Sequence, residues 1–244
     1  MSSQRFENLL LDSSPQKIRG FKRTQPGSQS LHVYIEGDGL AFIRRNQISS
    51  NPTPINPIAQ KLAASDDTAN VLYLARPCQY TKITDYTVCP PALWTNARYS
   101  QQVIDTMSNA LDIALDGFKI EKKRSITLIG YSGGGVIAAL LAAQRDDIDT
   151  LVTIAGNLDT EAWTRHHNDS PLINSINPLD YAEQLETIRQ FHWTGDKDKV
   201  VPSIIIEKYL QQLGSPHIAK KISVPGFDHS CCWESIWPQA LQRL

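Results

Sequence analysis

The sequence predicts an α/β fold, a mainly parallel sheet with helices on both faces. Three observations carry this. Short apolar runs rich in β-branched residues alternate with longer segments of helical periodicity, the pattern of βαβ units. The 244 residues suffice for one sizeable core. No repeat, low-complexity tract or linker divides the chain, so 1–244 reads as a single domain.

Two strands are expected at 18–24 and 31–36, joined by a turn at Pro26-Gly27. A helix follows at 56–65 and a buried strand at 70–75. Residues 96–117 carry Val103, Ile104, Met107, Leu111 and Leu115 at helical spacing and end near Gly117. Further strands are expected at 125–130, 151–155, 189–194 and 219–224. Helices are expected at 135–144, 202–213 and 233–244. Two stretches break the rhythm. Residues 77–95 form a long connection with Cys78, Cys89, Pro90 and Pro91, and 156–180 carries Trp163, His166, His167 and Pro171. Long connections in compact domains are often functional, and both begin at strand carboxyl ends, where α/β sheets bind ligands. The second reads as a small cap over a site.

A formal net charge of −1 provides no electrostatic case for nucleic acid or an anionic membrane. The densest basic run, Lys122-Lys123-Arg124, reads as a solvated loop. No apolar run approaches the roughly 20 residues of a membrane span, and residues 1–8 hold no hydrophobic signal core. Cys78 and Cys89 flank one irregular segment and could close a short loop, while Cys231 and Cys232 are adjacent. Four cysteines allow three pairings, which sequence alone leaves open. No cysteine or histidine spacing suggests zinc.

The chemistry centres on Gly130-Tyr131-Ser132-Gly133-Gly134, a G-x-S-x-G pattern between a strand and a helix. In that context the turn raises the serine hydroxyl above the sheet, near the positive end of a helix dipole. A serine hydroxyl needs a base and an orienting acid. The expected base is His229, just beyond the 219–224 strand. His32 and His192 fall inside strands, His217 lies in a turn, and His166 and His167 lie in the expected cap. The expected acid is Asp198, in the loop after 189–194, because Val200-Val201-Pro202 would anchor it. Asp196 is its nearest rival, Asp159 a weaker substitute, and Asp228 points away if His229 points inward. An oxyanion needs backbone donors. Gly133 would give one N–H and Asp38, or else Gly39, the second. Glu36 and Asp38 put negative charge near that oxyanion. They either hold loops or read a cationic group of the substrate.

With those residues in place, the chain resembles the α/β-hydrolase superfamily over roughly residues 18–244. The matching pieces are the Gly130–Gly134 elbow, the acid loop from Gly195 to Pro202 and Gly226-Phe227-Asp228-His229. More narrowly it is similar to a bacterial group opening with Tyr34-Ile35-Glu36-Gly37-Asp38-Gly39 and carrying Ala155-Gly156-Asn157-Leu158-Asp159. Many relatives have His-Gly where Glu36-Gly37 stands here. The resemblance implies a sheet of about eight strands and a Ser132–Asp198–His229 triad. It also implies cleavage of an ester, thioester or related acyl bond with no cofactor or metal. A peptidase or acyltransferase on the same triad, or a binding protein on a hydrolase fold, are the alternatives. The expected partner is a small acyl substrate, lined by Tyr131, Trp94, Asn157, Trp163 and His166, with Tyr99 a further candidate. The compartment would be the bacterial cytoplasm, or the periplasm if a leader was removed and the cysteines are bridged. Oligomeric state is left open.

Overall fold

The computed structural model describes residues 5–82, 87–118, 125–214 and 218–244. His217 and Lys122 to Arg124 therefore lie outside the described residues. The strands are β1 (Glu7–Ser13), β2 (Gln16–Arg23), β3 (Ser30–Ile35), β4 (Phe42–Arg44), β5 (Gln47–Ile48), β6 (Asn70–Leu74), β7 (Ser125–Tyr131), β8 (Thr150–Ile154), β9 (Arg189–Gly195) and β10 (Ala219–Val224). The helices are α1 (Ile58–Ser65), α2 (Gln101–Asp116), α3 (Gly133–Gln144), α4 (Thr160–His167), α5 (Ala182–Leu185), α6 (Ser203–Gln212) and α7 (Trp233–Leu241). Eight strands form one sheet in the order β1-β2-β6-β3-β7-β8-β9-β10, and β4 and β5 form a separate hairpin. From β6 to β10 every pairing is parallel; β1 and β2 are antiparallel additions at one edge.

Strand residues alternate between two cores. Leu31, Val33 and Ile35 of β3, with Ile126 and Leu128 of β7, meet α2 and α3 through Val103, Met107, Leu111, Ile137 and Leu140. Tyr34, Tyr73, Ile129, Val152 and Phe191 face the other side, where α1 and α7 bring Ile58, Leu62, Trp233 and Trp237. The five apolar positions that predict α2 are all buried. Helix α3 is buried nearly all round, from Gly133 to Ala142, which fits its lack of any polar face.

The structure differs from the sequence expectation at several elements, the β4–β5 hairpin and helices α4 and α5 among them. Strand β1 was not expected. Of its three leucines only Leu11 is buried, and Leu10 is 55% exposed, so a one-sided edge strand leaves little periodic signal. The strands either side of Pro26-Gly27 do not pair, because β6 lies between β2 and β3. Helix α2 begins at Gln101 rather than residue 96. Pro90 and Pro91 instead start a short 3-10 turn, Pro91–Trp94, ahead of it. Cys78 is bonded to Cys89, and Cys231 to its neighbour Cys232. No helix among the described residues is long and apolar enough to cross a membrane.

Candidate active site

Ser132 occupies the sharp turn between β7 and α3, at φ 52° and ψ −121°. A non-glycine residue rarely adopts that backbone, so the surroundings must hold it there. The Ser132 N–H donates to the Ile154 carbonyl at 2.9 Å, and the Ser132 carbonyl accepts from Gly135 at 2.9 Å. Glycine is required at 134 because a Cβ there would collide with the Ile35 and Glu36 carbonyls.

His229 lies beyond β10, reached through Gly226 at φ 82°. Its Nε2 is 2.9 Å from the Ser132 Oγ, and its Nδ1 is 2.8 Å from the Asp198 Oδ2. A carboxylate only accepts, so Nδ1 carries the proton and Nε2 is free to accept from the hydroxyl. The His229 carbonyl accepts from the Tyr131 hydroxyl and the Trp233 indole, each at 3.0 Å, which fixes the backbone that carries the ring. Sequence reading gave Tyr131 a place beside the substrate. It does line the cavity, but its hydroxyl holds His229.

Asp198 is buried in the loop between β9 and α6. Its other oxygen accepts the Val200 and Val201 N–H groups, both at 2.8 Å. Asp196, the rival acid, does a different job. Its carboxylate accepts the Gly226 N–H at 2.6 Å and ties the acid loop to the loop of His229. Asp159 caps α4 through the Ala162 N–H and pairs with Lys208 at 3.0 Å. Asp228 turns away and accepts from the Ser230 and Cys231 N–H groups.

The two other acidic residues hold loops. Glu36 is buried and accepts the Gly37 N–H at 2.9 Å, the Ala59 and Gln60 N–H groups at the start of α1, and the Tyr73 hydroxyl. Burial raises its carboxyl above the ordinary range, against the pull of those donors. Asp38 is gripped by Arg76, by Arg98 at 2.8 Å and by the Tyr99 hydroxyl at 2.9 Å. Burial alone would raise its pKa, but Arg98 and Arg76 outweigh it and bring it down to about 2. A side chain on Gly133 would strike this carboxylate and the Tyr99 hydroxyl, so the clamp lies directly against the turn of Ser132. Sequence reading found neither arginine. They enter from the two ends of the long 77–95 connection, and nothing local marks them.

A cavity of about 350 Å³ opens over Ser132. Gly37, Asp38 and Gly39 form one wall, Asn157, Trp163 and Val200 another, and Ile55 and Leu40 contribute apolar surface. Of the residues expected to line it, Tyr131, Asn157 and Trp163 do so, as does Tyr99. Trp94 does not. It is 3% exposed in the core and donates its indole N–H to the Ser49 carbonyl. Nor does His166, which is exposed on α4 and meets only the His167 ring edge-on. Helix α4 is pinned to the acid loop instead by Trp163 and His167, which both donate to the Val200 carbonyl at 2.7 and 2.8 Å. Among the described residues, no three His, Cys, Asp or Glu side chains are gathered to hold a metal ion.

No protein-family model matches the sequence, and no curated protein matches it. Solved structures do. A serine hydrolase homologue from Coxiella burnetii superposes with a TM-score of 0.65 at 14% identity, over 100% of this chain and 99% of its own. Est1E from Butyrivibrio proteoclasticus gives 0.65 at 14% identity, over 99% and 97%. A puromycin-hydrolysing peptidase from Mycobacterium tuberculosis gives 0.68 at 14% identity over 98% of this chain, which spans only 38% of that one. The eight-stranded sheet, its covering helices and these superpositions agree: the chain has the fold of the α/β serine hydrolases.

Proposed function

We propose that the protein is a serine hydrolase that cleaves a carboxylic ester, thioester or related acyl bond through an acyl-enzyme on Ser132. The observation that carries this is the unbroken chain from the Ser132 Oγ through His229 to Asp198, with links of 2.9 and 2.8 Å. His229 takes the hydroxyl proton as Ser132 attacks the carbonyl carbon. Asp198 holds the imidazole tautomer and stabilises the cation that forms. The oxyanion faces the Gly133 N–H and a second amide from the wall opposite. In that wall the Gly37 N–H is taken by Glu36 and the Leu40 N–H by the Pro52 carbonyl, which leaves the amides of Asp38 and Gly39 between them. His229 then protonates the departing alcohol or thiol, activates water, and the acid is released. Structural neighbours that include esterases support the same reading. Asp38 pairs with two guanidinium groups, which weighs against its reading a cationic side chain of a peptide substrate.

A fluorophosphonate probe tests the reading. Wild-type protein is expected to take up one probe, on Ser132, and to hydrolyse p-nitrophenyl esters; Ser132→Ala is expected to do neither. An unlabelled wild type would sink the proposal.

A further inference from the structure

Single apolar side chains on a surface are ordinary, but a group of them around one opening marks a binding surface. Nine large apolar residues are exposed among the described residues, and four of them, Phe42, Ile43, Ile48 and Ile55, fall within one short segment. That segment starts and ends in the cavity over Ser132. Leu40 and Ile55 both line it, and Ile55 is 84% exposed. Between them the chain leaves the wall as the β4–β5 hairpin and returns. The Leu40 N–H donates to the Pro52 carbonyl at 3.1 Å and the Ser49 N–H to the Ala41 carbonyl at 3.0 Å. Phe42 stands opposite Ile48 in the hairpin, 37% and 47% exposed. Every residue from Phe42 to Ile48 is exposed, so no core covers this pair. At the tip Arg45 donates to the Asn168 carbonyl at 3.3 Å, just beyond α4, the helix whose Trp163 lines the opposite wall. The hairpin thus bridges the two walls and extends apolar surface outward from the site of Ser132.

Resting on the hydrolase reading, we propose that the substrate is an ester of a long, unbranched fatty acid. Its acyl tail leaves the cavity over Leu40 and Ile55 and lies along the Phe42–Ile48 pair of the hairpin. Three observations commit the surface to this occupant. The apolar strip is continuous with the cavity, so whatever covers it is joined to the group that reacts at Ser132. The cavity, at about 350 Å³, is near the lower end of the roughly 300–1,000 Å³ usual for ligand sites, so a long chain has to run out of it. The third is the direction of the chemistry. His229 protonates the leaving group, and it stands on the side of Asp198 and Val200. The acyl group therefore takes the other apolar surface, that of Leu40 and Ile55. Each methylene laid on this strip removes apolar area from water on both partners, so the gain grows with chain length.

The test is a chain-length series of p-nitrophenyl esters from acetate to decanoate, each kept below its critical micelle concentration. Wild-type kcat/KM is expected to rise at least tenfold from acetate to decanoate. Ile55→Ser, and separately the double variant Phe42→Ser/Ile48→Ser, are each expected to cut the decanoate-to-acetate ratio at least threefold. Leu10→Ser, an exposed leucine on the edge strand β1, is expected to keep the wild-type ratio. Fluorophosphonate labelling of wild-type Ser132 separates the two levels of the argument. A labelled wild type whose rate is flat or falls beyond butyrate overturns the acyl-tail assignment and leaves the hydrolase reading standing. So does a ratio unchanged in either variant, or one that Leu10→Ser lowers as much. A flat series from a labelled protein that sediments as a dimer reassigns the hairpin to a second copy of the chain. A wild type that neither labels nor turns over any ester overturns both readings. The wild-type series decides the matter even if a variant does not fold.

Discussion

Two carboxylates flank Ser132, and they are held by opposite means. Asp198 is gripped by neutral donors, the Val200 and Val201 amides, and by the His229 ring. Asp38 is gripped by two guanidinium groups and a phenol. The neutral donors orient Asp198 but leave its negative charge uncancelled, as the proposed mechanism requires for it to stabilise an imidazolium. The guanidiniums cancel the charge of Asp38, which on the proposed mechanism would otherwise oppose the oxyanion beside Gly133. The two loops also differ in how they are anchored. The acid loop is secured by hydrogen bonds: Asp196 to Gly226, and Trp163 and His167 to Val200. The Asp38 side is served by Arg76 and Arg98, which bracket the Cys78–Cys89 disulfide.

The largest expected effect comes from breaking the responsive side. Asp198→Asn removes the charge and favours the wrong tautomer, so kcat for a p-nitrophenyl ester should fall by about 10⁴ with little change in Tm. On the other side, removing the Cys78–Cys89 bond with a double Cys→Ser variant frees a short loop of the unfolded chain from constraint. The expected loss is about 3 kcal/mol, read by urea unfolding. Arg98→Ala leaves Asp38 with one guanidinium. Fully buried pairs lose about 3–5 kcal/mol when broken, but Asp38 is part-exposed and keeps Arg76. A loss of about 2 kcal/mol is expected, a Tm lower by roughly 4–8 °C.

A pH slope distinguishes the two sides as well. His192 sits on β9 beneath the acid loop, buried among Thr153, Gln190 and Tyr209, and burial lowers its pKa from 6.5 to about 3. Between those values the unfolded chain binds a proton that the folded chain refuses. Stability therefore falls as pH drops from 6.5 toward 3, by about 1.4 kcal/mol per unit from this group. His192→Gln should flatten that slope in urea titrations at pH 4–6.5. The carboxylate of Asp38 acts in the same direction, in a lower pH window. Its contribution is complete above the ordinary carboxyl range and is lost only as pH falls through about 2.

This contrast explains what the sequence disclosed. The acid side is local: Ser132, Asp198 and His229 each follow a strand with its own apolar run, so chain order and strand ends suffice to nominate them. The Asp38 side is assembled from far apart. Arg76 and Arg98 lie 38 and 60 residues from Asp38, and pairing over such distances leaves no periodic mark. The same holds for β6 lying between β2 and β3, and for Glu36 capping α1. Trp94 was misjudged because an aromatic residue in a long loop reads alike whether it faces a cavity or the core.

The most direct measurement is the second-order rate of fluorophosphonate labelling at Ser132, taken side by side for wild type, Asp198→Asn and Asp38→Asn proteins that circular dichroism shows to be folded. Division of labour between the two carboxylates predicts at least a hundredfold loss in Asp198→Asn and less than tenfold in Asp38→Asn. Equal losses in the two variants, or an Asp198→Asn protein that labels at the wild-type rate, would contradict it.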